Sequence, residues 1–584
     1  MITKLVLRNF KSIAEQVYSF TNLDLLVGRN NCGKSTILQA LAIWQFSIDE
    51  FHRAKRRGST GKQVVLPNFT ALPLPEFNLL WRERTDRKYP IVGTKKKQEY
   101  ILIEIEVTWQ TPSLDEHVFG VKLRYNSPQS VYAIPSQGWD KFRELEKTLP
   151  SIAYVPPFSG LEPIEEWRDD GPIRKQVGKA QPGSVLRNLL LRVCPPPPKD
   201  EHGHFSKVNW PTPEWNEIKT VTQRWFSVEL KEPKYERGVD TQILCEYKEG
   251  KQLYDIIAAG SGFHQTLTLL AFLYGYKPNT ILLDEPDAHL HVNLQREILD
   301  YFKSKSAERH IQFIIATHAE ELIKGVDACR VVSLLQQAPI RESSTPDILA
   351  AMADVSNVEI TQLRAYPFVL YVEGENDERI LRAWARTLRA EDVLGKLCFI
   401  TMGGGSKQLM KEDAERHFKA VKQIIPDTMR LMVFDYDSDE TAFHPQKGNE
   451  VLFEWKRKNI ENYLMVPESW KRAVGQVLGA GDDLLVPTTQ PALRIIDDFF
   501  LGENLTRPPN KTWATLDANV FRVVNGKEIL FNSEKSLFNQ LRQTGLQLSL
   551  TREMVAGAML DSEMHNDVKT LFDKIRAVLG TDSQ

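Results

Sequence analysis

Two adjacent carboxylates follow an apolar segment near the middle of the chain. The segment 280–283 reads Thr-Ile-Leu-Leu, and Asp284 and Glu285 stand directly after it, before a proline. Such a segment predicts a buried strand, and open α/β sheets bind ligands at the carboxyl ends of their strands. We expect Asp284 to hold a hydrated Mg²⁺ ion through a water and Glu285 to polarise an attacking water. Taken alone, the same residues also fit an acidic surface turn.

A glycine-rich segment near the amino terminus supplies a matching phosphate site. The apolar segment 23–27 predicts a strand, and Gly-Arg-Asn-Asn-Cys-Gly-Lys-Ser follows it, which is the P-loop pattern. In this pattern the backbone N–H groups hold phosphates, the lysine reaches the β- and γ-phosphates, and the serine hydroxyl ligates Mg²⁺. A helix predicted over 36–43 completes the strand–loop–helix context. The candidate residues for binding ATP with its Mg²⁺ are Gly28, Asn30, Asn31, Gly33, Lys34, Ser35 and Thr36.

Two further short segments stand in order with these motifs. Ser261 and Gly262 precede Asp284, and His318 follows the apolar segment 313–317. With them the chain resembles the ABC-type ATPases of the SMC and RecF group. The resemblance implies a dimer in which Ser261 and Gly262 cap the γ-phosphate bound to the opposite protomer, while His318 senses it. The chain departs from the family's Leu-Ser-Gly-Gly-Gln signature, because a phenylalanine stands at the second glycine.

The composition is that of an ordinary globular protein with several domains. The chain has 584 residues, of which 42% are hydrophobic and 26% charged, and its length suggests about three to four domains. A formal net charge of −2 excludes a uniformly basic nucleic-acid coat, so any DNA contact must come from local patches. Five cysteines without a C-x-x-C pair indicate a reducing cytoplasm and no zinc site. Since we find no signal peptide and no apolar run of 18 residues, we expect a cytoplasmic protein that is neither secreted nor membrane-spanning.

The resemblance implies an α/β ATPase domain of ABC type over residues 1–340. Residues 2–13 alternate between apolar and polar side chains and predict one strand, with a Leu-x-Leu-x-Asn-Phe-Lys-Ser pattern that also opens RecF- and SMC-like heads. Residues 100–109 and 118–125 alternate similarly and predict strands of an antiparallel lobe. The basic segment 51–62 is interpreted as a solvated loop or, alternatively, as a contact for phosphates.

A mainly helical insertion is predicted over about 158–230. It contains an amphipathic segment at 183–192 and a proline-rich link of polyproline II type at 194–200. Two roles stay open for the insertion, dimerisation and packing within one subunit. After the ATPase domain we expect a linker over 341–365, which contains turn-forming residues.

A second set of carboxylates follows two apolar segments in the carboxyl-terminal part of the chain. Carboxylates gathered at one edge of a parallel sheet repel one another unless cations neutralise them, and hard oxygen ligands select Mg²⁺ or Mn²⁺. Either pair alone also fits a helix cap or a solvated turn. We expect the second pair to share one face, because strand side chains repeat every second residue. The pairs are Glu373 and Asp377 after the segment 368–372, and Asp435 and Asp437 after the segment 430–434.

These Glu-Gly-x-x-Asp and Asp-x-Asp segments, with glycines at 403–405 between them, resemble the Toprim domain of topoisomerases, primases and certain nucleases. An ABC-type ATPase followed by a Toprim domain is similar to the OLD (overcoming lysogenization defect) family of nucleases, and the likeness spans nearly the full length. The family's Glu-Asn-Tyr-Leu segment stands here at 461–464. The resemblance implies a Toprim domain, a Rossmann-like parallel sheet, over 366–584, with a helical carboxyl-terminal part.

The same resemblance implies a two-metal nuclease site with Mg²⁺ or Mn²⁺ and a lysine that stabilises charge at the scissile phosphate. It further implies a DNA substrate, defence against phage, homodimers or larger assemblies, and a partner protein or nucleic acid of a defence system. The metal ligands would be Glu373, Asp377, Asp435, Asp437 and Glu461, beside Ser35 and Asp284 at the ATPase site. The catalytic residues would be Glu285, His318, Glu373, Asp435, Asp437 and Lys527.

Three functions therefore compete. The first is an ATP-regulated, divalent-metal-dependent DNA endonuclease. The second is an ATP-driven DNA clamp or sensor, whose Toprim acids are structural and which acts through a partner. The third is a strand-passing topoisomerase, which requires a tyrosine nucleophile on a DNA-binding module. No segment of the sequence has the pattern of such a module, so the third function is the weakest.

Overall fold

A computed structural model of the chain describes residues 1–54, 61–92, 95–96, 98–197, 210–336, 339, 345–403, 405–443, 451–478, 489–543 and 549–579. The chain folds into two compact units, Met1–Leu349 and Ala350–Gln584. In the described residues, no helix is both long enough and apolar enough to cross a membrane.

The strands of the first unit form one antiparallel sheet, one parallel sheet and smaller ribbons. In chain order they are β1 Ile2–Phe10, β2 Ile13–Ser19, β3 Leu23–Val27, β4 Lys62–Val65, β5 Arg87–Lys88, β6 Ile91–Val92, β7 Lys95–Lys96, β8 Glu99–Tyr100, β9 Ile103–Gln110, β10 Glu116–Ser127, β11 Ser130–Pro135, β12 Ile152–Val155, β13 Glu229–Leu230, β14 Glu246–Glu249, β15 Gln252–Asp255, β16 Thr280–Asp284, β17 Gln312–Thr317 and β18 Val331–Ser333.

The antiparallel sheet has the order β2-β1-β9-β10-β11-β4. The strands predicted at 100–109 and 118–125 are its members β9 and β10, with shifted ends. The prediction of one strand over 2–13 was wrong, because Lys11 adopts a left-handed φ of 51° and turns the chain. The segment is therefore a hairpin, in which Phe10 pairs with Ile13.

The parallel sheet has the order β12-β16-β17-β3-β18 and carries the predicted motifs. Every residue of β3, β16 and β17 is buried, as expected for strands covered on both faces. In the register, Asp284 pairs with Ala316, and Thr317 pairs with Val27. The carboxyl ends of the three central strands therefore meet at one edge, where the P-loop, the acidic pair and His318 begin.

The helices of the first unit are α1 Lys34–His52, α2 Gly138–Leu145, α3 Asp170–Gly178, α4 Leu186–Val193, α5 Pro213–Phe226, α6 Ser261–Tyr276, α7 Val292–Arg309 and α8 Glu320–Lys324. The helix α1 extends beyond the predicted 36–43 and includes Phe51, which is fully buried in the core. The start of the basic segment 51–62 is thus helical rather than a solvated loop, while 55–60 lie outside the described residues. The region 158–230 contains α3, α4 and α5, and the end of its proline-rich link, 198–200, is likewise outside them.

In the described part of the second unit, parallel strands form a sheet in the order β20-β19-β21-β22. They are β19 Phe368–Val372, β20 Cys398–Thr401, β21 Met429–Phe434 and β22 Leu452–Glu454. The predicted acid-bearing strands at 368–372 and 430–434 are β19 and β21, so their carboxyl ends lie side by side. Of the glycines between them, residue 404 lies outside the described part.

The remaining helices begin before this sheet in the chain and continue to the carboxyl end of the described residues. They are α9 Thr345–Asp354, α10 Asn357–Ala365, α11 Glu375–Thr387, α12 Glu391–Leu394, α13 Lys407–Ile424, α14 Pro467–Val477, α15 Gln490–Gly502, α16 Val520–Val523, α17 Leu537–Arg542, α18 Arg552–Gly557 and α19 Asn566–Leu579. We expected a linker over 341–365. Most of its described residues are helical, because they belong to α9 and α10, and residues 341–344 lie outside the described part of the chain. One hydrophobic core joins the strands to the last helices, including Leu370, Trp384, Trp470 and Phe572.

Candidate functional sites

The P-loop borders a polar cavity at the amino end of α1. Gly33 precedes the helix with a left-handed φ of 103°, a conformation that favours glycine. Lys34 and Ser35 then begin α1, so the free N–H groups and the positive end of the helix dipole lie at the cavity. Its volume is about 480 Å³. It is lined by Ser12, Asn30, Asn31, Gly33, Lys34, Ser35, Thr36 and Glu285.

The two predicted Mg²⁺ residues of this site are in direct contact. The Ser35 hydroxyl donates a hydrogen bond to Asp284 Oδ1 at 2.9 Å, and the Tyr154 hydroxyl donates to Oδ2 at 3.1 Å. Burial raises the pKa of the Asp284 carboxyl, while these two donors lower it. The buried Lys34 ammonium donates to the carbonyl oxygens of Gly28 and Arg29 at 2.8 and 3.1 Å, so it lies inside the loop.

Three residues around the cavity were missed by the sequence reasoning. Ser12 lines it from the β1–β2 turn, in the Asn-Phe-Lys-Ser segment to which we had assigned no role at this site. The neighbouring Lys11 is close enough for the Asp284 charge to raise its pKa, although burial lowers that pKa overall. Tyr154 reaches Asp284 because β12 pairs in parallel with β16. The pairing of these strands has no local signal in the sequence.

The predicted water-polarising acid and phosphate sensor are neighbours. Glu285 has a left-handed φ of 51°, and its N–H donates to the carbonyl oxygen of Ala316 at 2.9 Å. His318 Nδ1 lies 3.6 Å from Glu285 Oε1, and both side chains are partly exposed. The adjacent Asp287 is buried and accepts a hydrogen bond from Thr317 Oγ1 at 2.7 Å, which links the ends of β16 and β17. The arrangement places the Glu285 carboxylate in the lining of the cavity and the His318 imidazole beside that carboxylate.

The signature segment begins α6 and does not line this cavity. Ser261 is exposed as the first residue of the helix. A Cβ atom on Gly262 would lie 3.1 Å from the carbonyl oxygen of His289, so this position packs closely against the turn after β16. Phe263, at the position of the family's second glycine, is buried and packs edge-to-face on Phe226 at 5.1 Å. The departure from the signature therefore adds a core side chain and leaves Ser261 at the surface.

The second site is a group of acids and one lysine at the carboxyl ends of β19 and β21. Glu373 Oε1 accepts a hydrogen bond from the Asp435 N–H at 2.7 Å, which joins the two strand ends. The Lys527 ammonium lies 2.6 Å from Asp435 Oδ2 and 3.7 Å from Glu373 Oε2. Burial and the Asp435 charge raise the pKa of Glu373 to about 7. Burial would lower the pKa of Lys527, but the charge of Asp435 and the hydrogen bond to it raise it.

Two further acids belong electrostatically to the same group. Asp377 is buried, and its Oδ2 accepts a hydrogen bond from the Gly374 N–H at 3.0 Å, so it also caps α11. Burial, with the charges of Asp435 and Glu461, raises the pKa of Asp377 to about 8. Burial likewise raises the pKa of Glu461, whose Oε1 accepts from Arg552 Nε at 3.1 Å. These shifts have the same origin, carboxylates crowded away from water.

Asp437 lies near this group, but not for the reason that we predicted. The strand β21 ends at Phe434, and Asp437 has a left-handed φ of 57° with its N–H donating to Lys458 at 3.1 Å. Side-chain alternation along a strand therefore does not place it. Its charge still contributes to the raised pKa values of Glu373 and Asp435.

The donor set fits a hard divalent cation, although the described residues include no group of three or more acid, histidine or cysteine side chains arranged as a metal site. Glu461 Oε2 is buried and lacks a hydrogen-bond partner within the described part of the chain. Carboxylates whose pKa values are raised by burial and by neighbouring negative charges gain most from an added positive charge. The residues that would hold such cations are Glu373, Asp377, Asp435, Asp437 and Glu461.

Asn462, within the Glu-Asn-Tyr-Leu segment, holds the turn that carries Lys527. Its side-chain Nδ2 donates to the carbonyl oxygens of Phe521 and Val524, both at 2.8 Å, and its Oδ1 accepts from the Gly526 N–H at 3.0 Å. A Cβ atom on Gly526 would lie 2.3 Å from Asn462 Oδ1, so only glycine fits this approach. The two segments that the resemblance singled out are thus bound to each other. The role of Asn462 itself was missed.

Comparisons with known proteins identify the first unit's activity class. The family described as "AAA ATPase domain" matches residues 1–109, and the family described as "AAA domain, putative AbiEii toxin, Type IV TA system" matches residues 103–324. Residues 1–324 therefore carry an ATPase domain, which implies ATP and Mg²⁺ at the P-loop cavity. Neither family model extends into the second unit.

One curated relative and several solved structures are similar to parts of the chain. The ATP-binding protein LolD of a lipoprotein-releasing system from Rickettsia felis is 32% identical over 87 residues, 15% of this chain and 39% of that protein. This chain thus spans about two fifths of the relative's length. The SMC head domain from Thermotoga maritima is 16% identical, covers 57% of this chain and 94% of its own, and has a TM-score of 0.29. An Smc head domain from Pyrococcus furiosus, bound to the C-terminal domain of ScpA, is 15% identical with coverages of 57% and 92% and a TM-score of 0.31.

Proposed function

We propose that the protein is an ATP-regulated, divalent-metal-dependent DNA endonuclease of the OLD type, acting in defence against phage. The observation that carries the proposal is the contact between Glu373, Asp435 and Lys527 at the carboxyl ends of two parallel strands. Sequence resemblance singled out these three residues separately, at positions far apart in the chain. Residues 366–584 would then form a Toprim nuclease domain with a helical carboxyl-terminal part.

The chemistry of the proposed cut follows from the acids. Two Mg²⁺ or Mn²⁺ ions, when bound, would activate water and stabilise the leaving oxygen of an in-line displacement. Glu373, Asp377, Asp435, Asp437 and Glu461 would hold the ions through their carboxylates. Lys527 would remain close to the scissile phosphate and offset its negative charge. Its ammonium already lies among the acids, which supports a role in the same reaction.

The ATPase would regulate the cut through a head-to-head dimer. Ser261 is exposed at the start of α6 and is absent from the lining of its own chain's cavity, which supports a contact with the nucleotide of a second subunit. Lys34 and Ser35 would hold phosphate and Mg²⁺ with Asp284, Glu285 would polarise water, and His318 would sense the γ-phosphate. Dimerisation, the first of the two roles considered for the insertion at 158–230, belongs to the same proposal.

A second function, an ATP-driven DNA clamp or sensor acting through a partner, also has an observation in its favour. The Lys527 ammonium lies 2.6 Å from Asp435 Oδ2 and offsets its charge, and the described residues include no group of three or more acid, histidine or cysteine side chains arranged as a metal site. In that case the group would be a structural ion-pair network. The two functions differ in whether the purified protein cuts DNA.

A cleavage assay separates them. Supercoiled and linear DNA are incubated with the protein, with and without ATP, in Mg²⁺, Mn²⁺ or chelator. Glu373→Gln and Asp435→Asn should lose cleavage while they keep ATPase activity. The matched control is Asp427→Asn, an exposed acid just before the amino end of β21, which should cut normally. Wild-type cutting by both site variants, or no metal-dependent cutting by the wild type, favours the clamp.

A separate experiment tests the roles that we assign to individual residues in ATP binding and hydrolysis. Lys34→Ala should abolish nucleotide binding or turnover, because the lysine of the P-loop pattern is the side chain that reaches the β- and γ-phosphates. Glu285→Gln should bind ATP but stall, and gel filtration with ATP should then show a stabilised dimer. Unchanged turnover in Glu285→Gln would remove Glu285 from the water-polarising role.

A further inference from the structure

Gln265 connects the signature helix to the backbone of Glu285 within one chain. It lies four residues after Ser261 on α6, about one helical turn, and it is 3% exposed. Its Nε2 donates to the carbonyl oxygen of Pro286 at 2.8 Å and to that of Glu285 at 3.2 Å. Both acceptors lie in the turn directly after β16, so the amide holds the turn from the side of α6.

The backbone of Glu285 needs such support. Its left-handed φ of 51° is unfavourable for a residue with a side chain, and such conformations persist only where their surroundings hold them. On one side, the Glu285 N–H is bound to Ala316 of β17. On the other side, its carbonyl accepts from Gln265, and from the Ala288 N–H at 3.3 Å. These contacts together determine the direction in which the Glu285 carboxylate leaves the chain.

The hydrogen bonds of the Gln265 amide are made by its NH₂ group and not by its oxygen. Its Oε1 is buried and has no hydrogen-bond partner among the described residues. An unpartnered buried oxygen costs free energy, so an apolar side chain of similar length would fill this position with less penalty. The two N–H donations to the turn are therefore the contribution that distinguishes glutamine here.

We infer that Gln265 is a positioning residue for ATP hydrolysis, which acts by holding the Glu285 carboxylate in its productive direction. The inference rests on the proposed role of Glu285 as the residue that polarises water. Among the residues that line the cavity, Gln265 is hydrogen-bonded to the backbone of Glu285 and to none of the P-loop residues, so its effect belongs to the chemical step and not to nucleotide binding.

The test replaces the amide by a side chain of the same length without a donor. Gln265→Met should lower kcat by roughly 10- to 100-fold, because misplacing a reacting group by about 1 Å costs on the order of 100-fold. The KM for ATP and the affinity for a non-hydrolysed ATP analogue should change less than about twofold, because the substitution leaves the contacts that bind ATP in the ground state unchanged. A loss of fold would instead lower both binding and turnover.

Gln295→Met is the matched control. Gln295 donates through the same atom type to the carbonyl oxygen of Leu290 at 3.1 Å, later in the same connection between β16 and α7. Its other hydrogen bond is a long one, 3.5 Å to the carbonyl oxygen of Asp287, and neither bond is to Glu285, so the kcat of Gln295→Met should stay within about twofold of wild type. If Gln265→Met fails to fold, Gln265→Leu makes the same test with a smaller side chain.

A double variant shows whether Gln265 acts through Glu285. Gln265→Met added to Glu285→Gln should cause no further loss in single-turnover hydrolysis, because residues acting as a unit are not additive. A wild-type kcat for Gln265→Met, an equal loss in Gln295→Met, or full additivity would each overturn the inference. If Glu285→Gln itself hydrolyses ATP normally, the proposed role of Glu285 fails instead.

Discussion

Lys527→Met tests whether the acid group of the second unit is a cation site. The substitution removes an ammonium 2.6 Å from Asp435 Oδ2 and leaves that carboxylate 2% exposed without its positive partner. Breaking one side of a buried pair costs about 3–5 kcal/mol. We expect the lower end, about 3 kcal/mol, because Lys527 is 31% exposed and the Ile460 N–H still donates to Asp435 at 2.9 Å.

The assay is urea unfolding in the presence of chelator, monitored by tryptophan fluorescence. The buried Trp384, Trp455 and Trp470 of the same unit contribute to this signal. The double variant Asp435→Asn/Lys527→Met should recover most of the lost free energy, since it removes the unpaired buried charge. Mn²⁺ should stabilise Lys527→Met more than it stabilises the wild type, because the ammonium no longer competes for the acids.

Lys535→Met is the control, since Lys535 is an exposed lysine of the same unit. Its unfolding midpoint should match that of the wild type. The reasoning fails if Lys527→Met in chelator is as stable as Lys535→Met, or if the double variant loses the sum of the two single effects. A stability gain from Mn²⁺ that is equal in wild type and variant would show that the cation binds elsewhere.

Three further changes have defined outcomes. Gly526→Ala should lower DNA cleavage and destabilise the protein by about 1–3 kcal/mol, as measured by urea unfolding, because its Cβ would overlap Asn462 Oδ1. Tyr154→Phe should raise the Mg²⁺ concentration needed for half-maximal ATPase activity, since Asp284 loses a hydrogen bond. Burial raises the pKa of Glu165 from 4.5 to about 7, so its stabilising contribution is complete below about pH 4.5 and is lost as pH rises through 7. Relative to Glu165→Gln, the wild type should therefore lose about 1.4 kcal/mol per pH unit within that range in unfolding experiments.

Local patterns were sufficient for the strands and turns that carry the motifs. The apolar segments at 280–283 and 368–372 are strands because each is a short buried run that ends in charged residues. The P-loop and the start of α1 follow from glycine and helix-forming residues within one short stretch. The prediction failed where side-chain alternation was assumed beyond the end of a strand. Strand alternation was applied to Asp437, although the strand ends at Phe434.

Local sequence patterns identified the residue types that could do chemistry and placed most of them after a strand or at the start of a helix. Which of these residues meet depends on the tertiary structure. Asp435 and Lys527, Asp284 and Tyr154, and Asn462 and Gly526 are distant in the chain, yet each pair is within hydrogen-bonding distance. Periodicity is a property of neighbouring residues, whereas the order of strands in a sheet depends on how all the apolar faces of a unit pack together. Contacts that depend on this packing therefore have no local pattern in the sequence. The hydrogen bonds from Gln265 to the turn that contains Glu285 are an example.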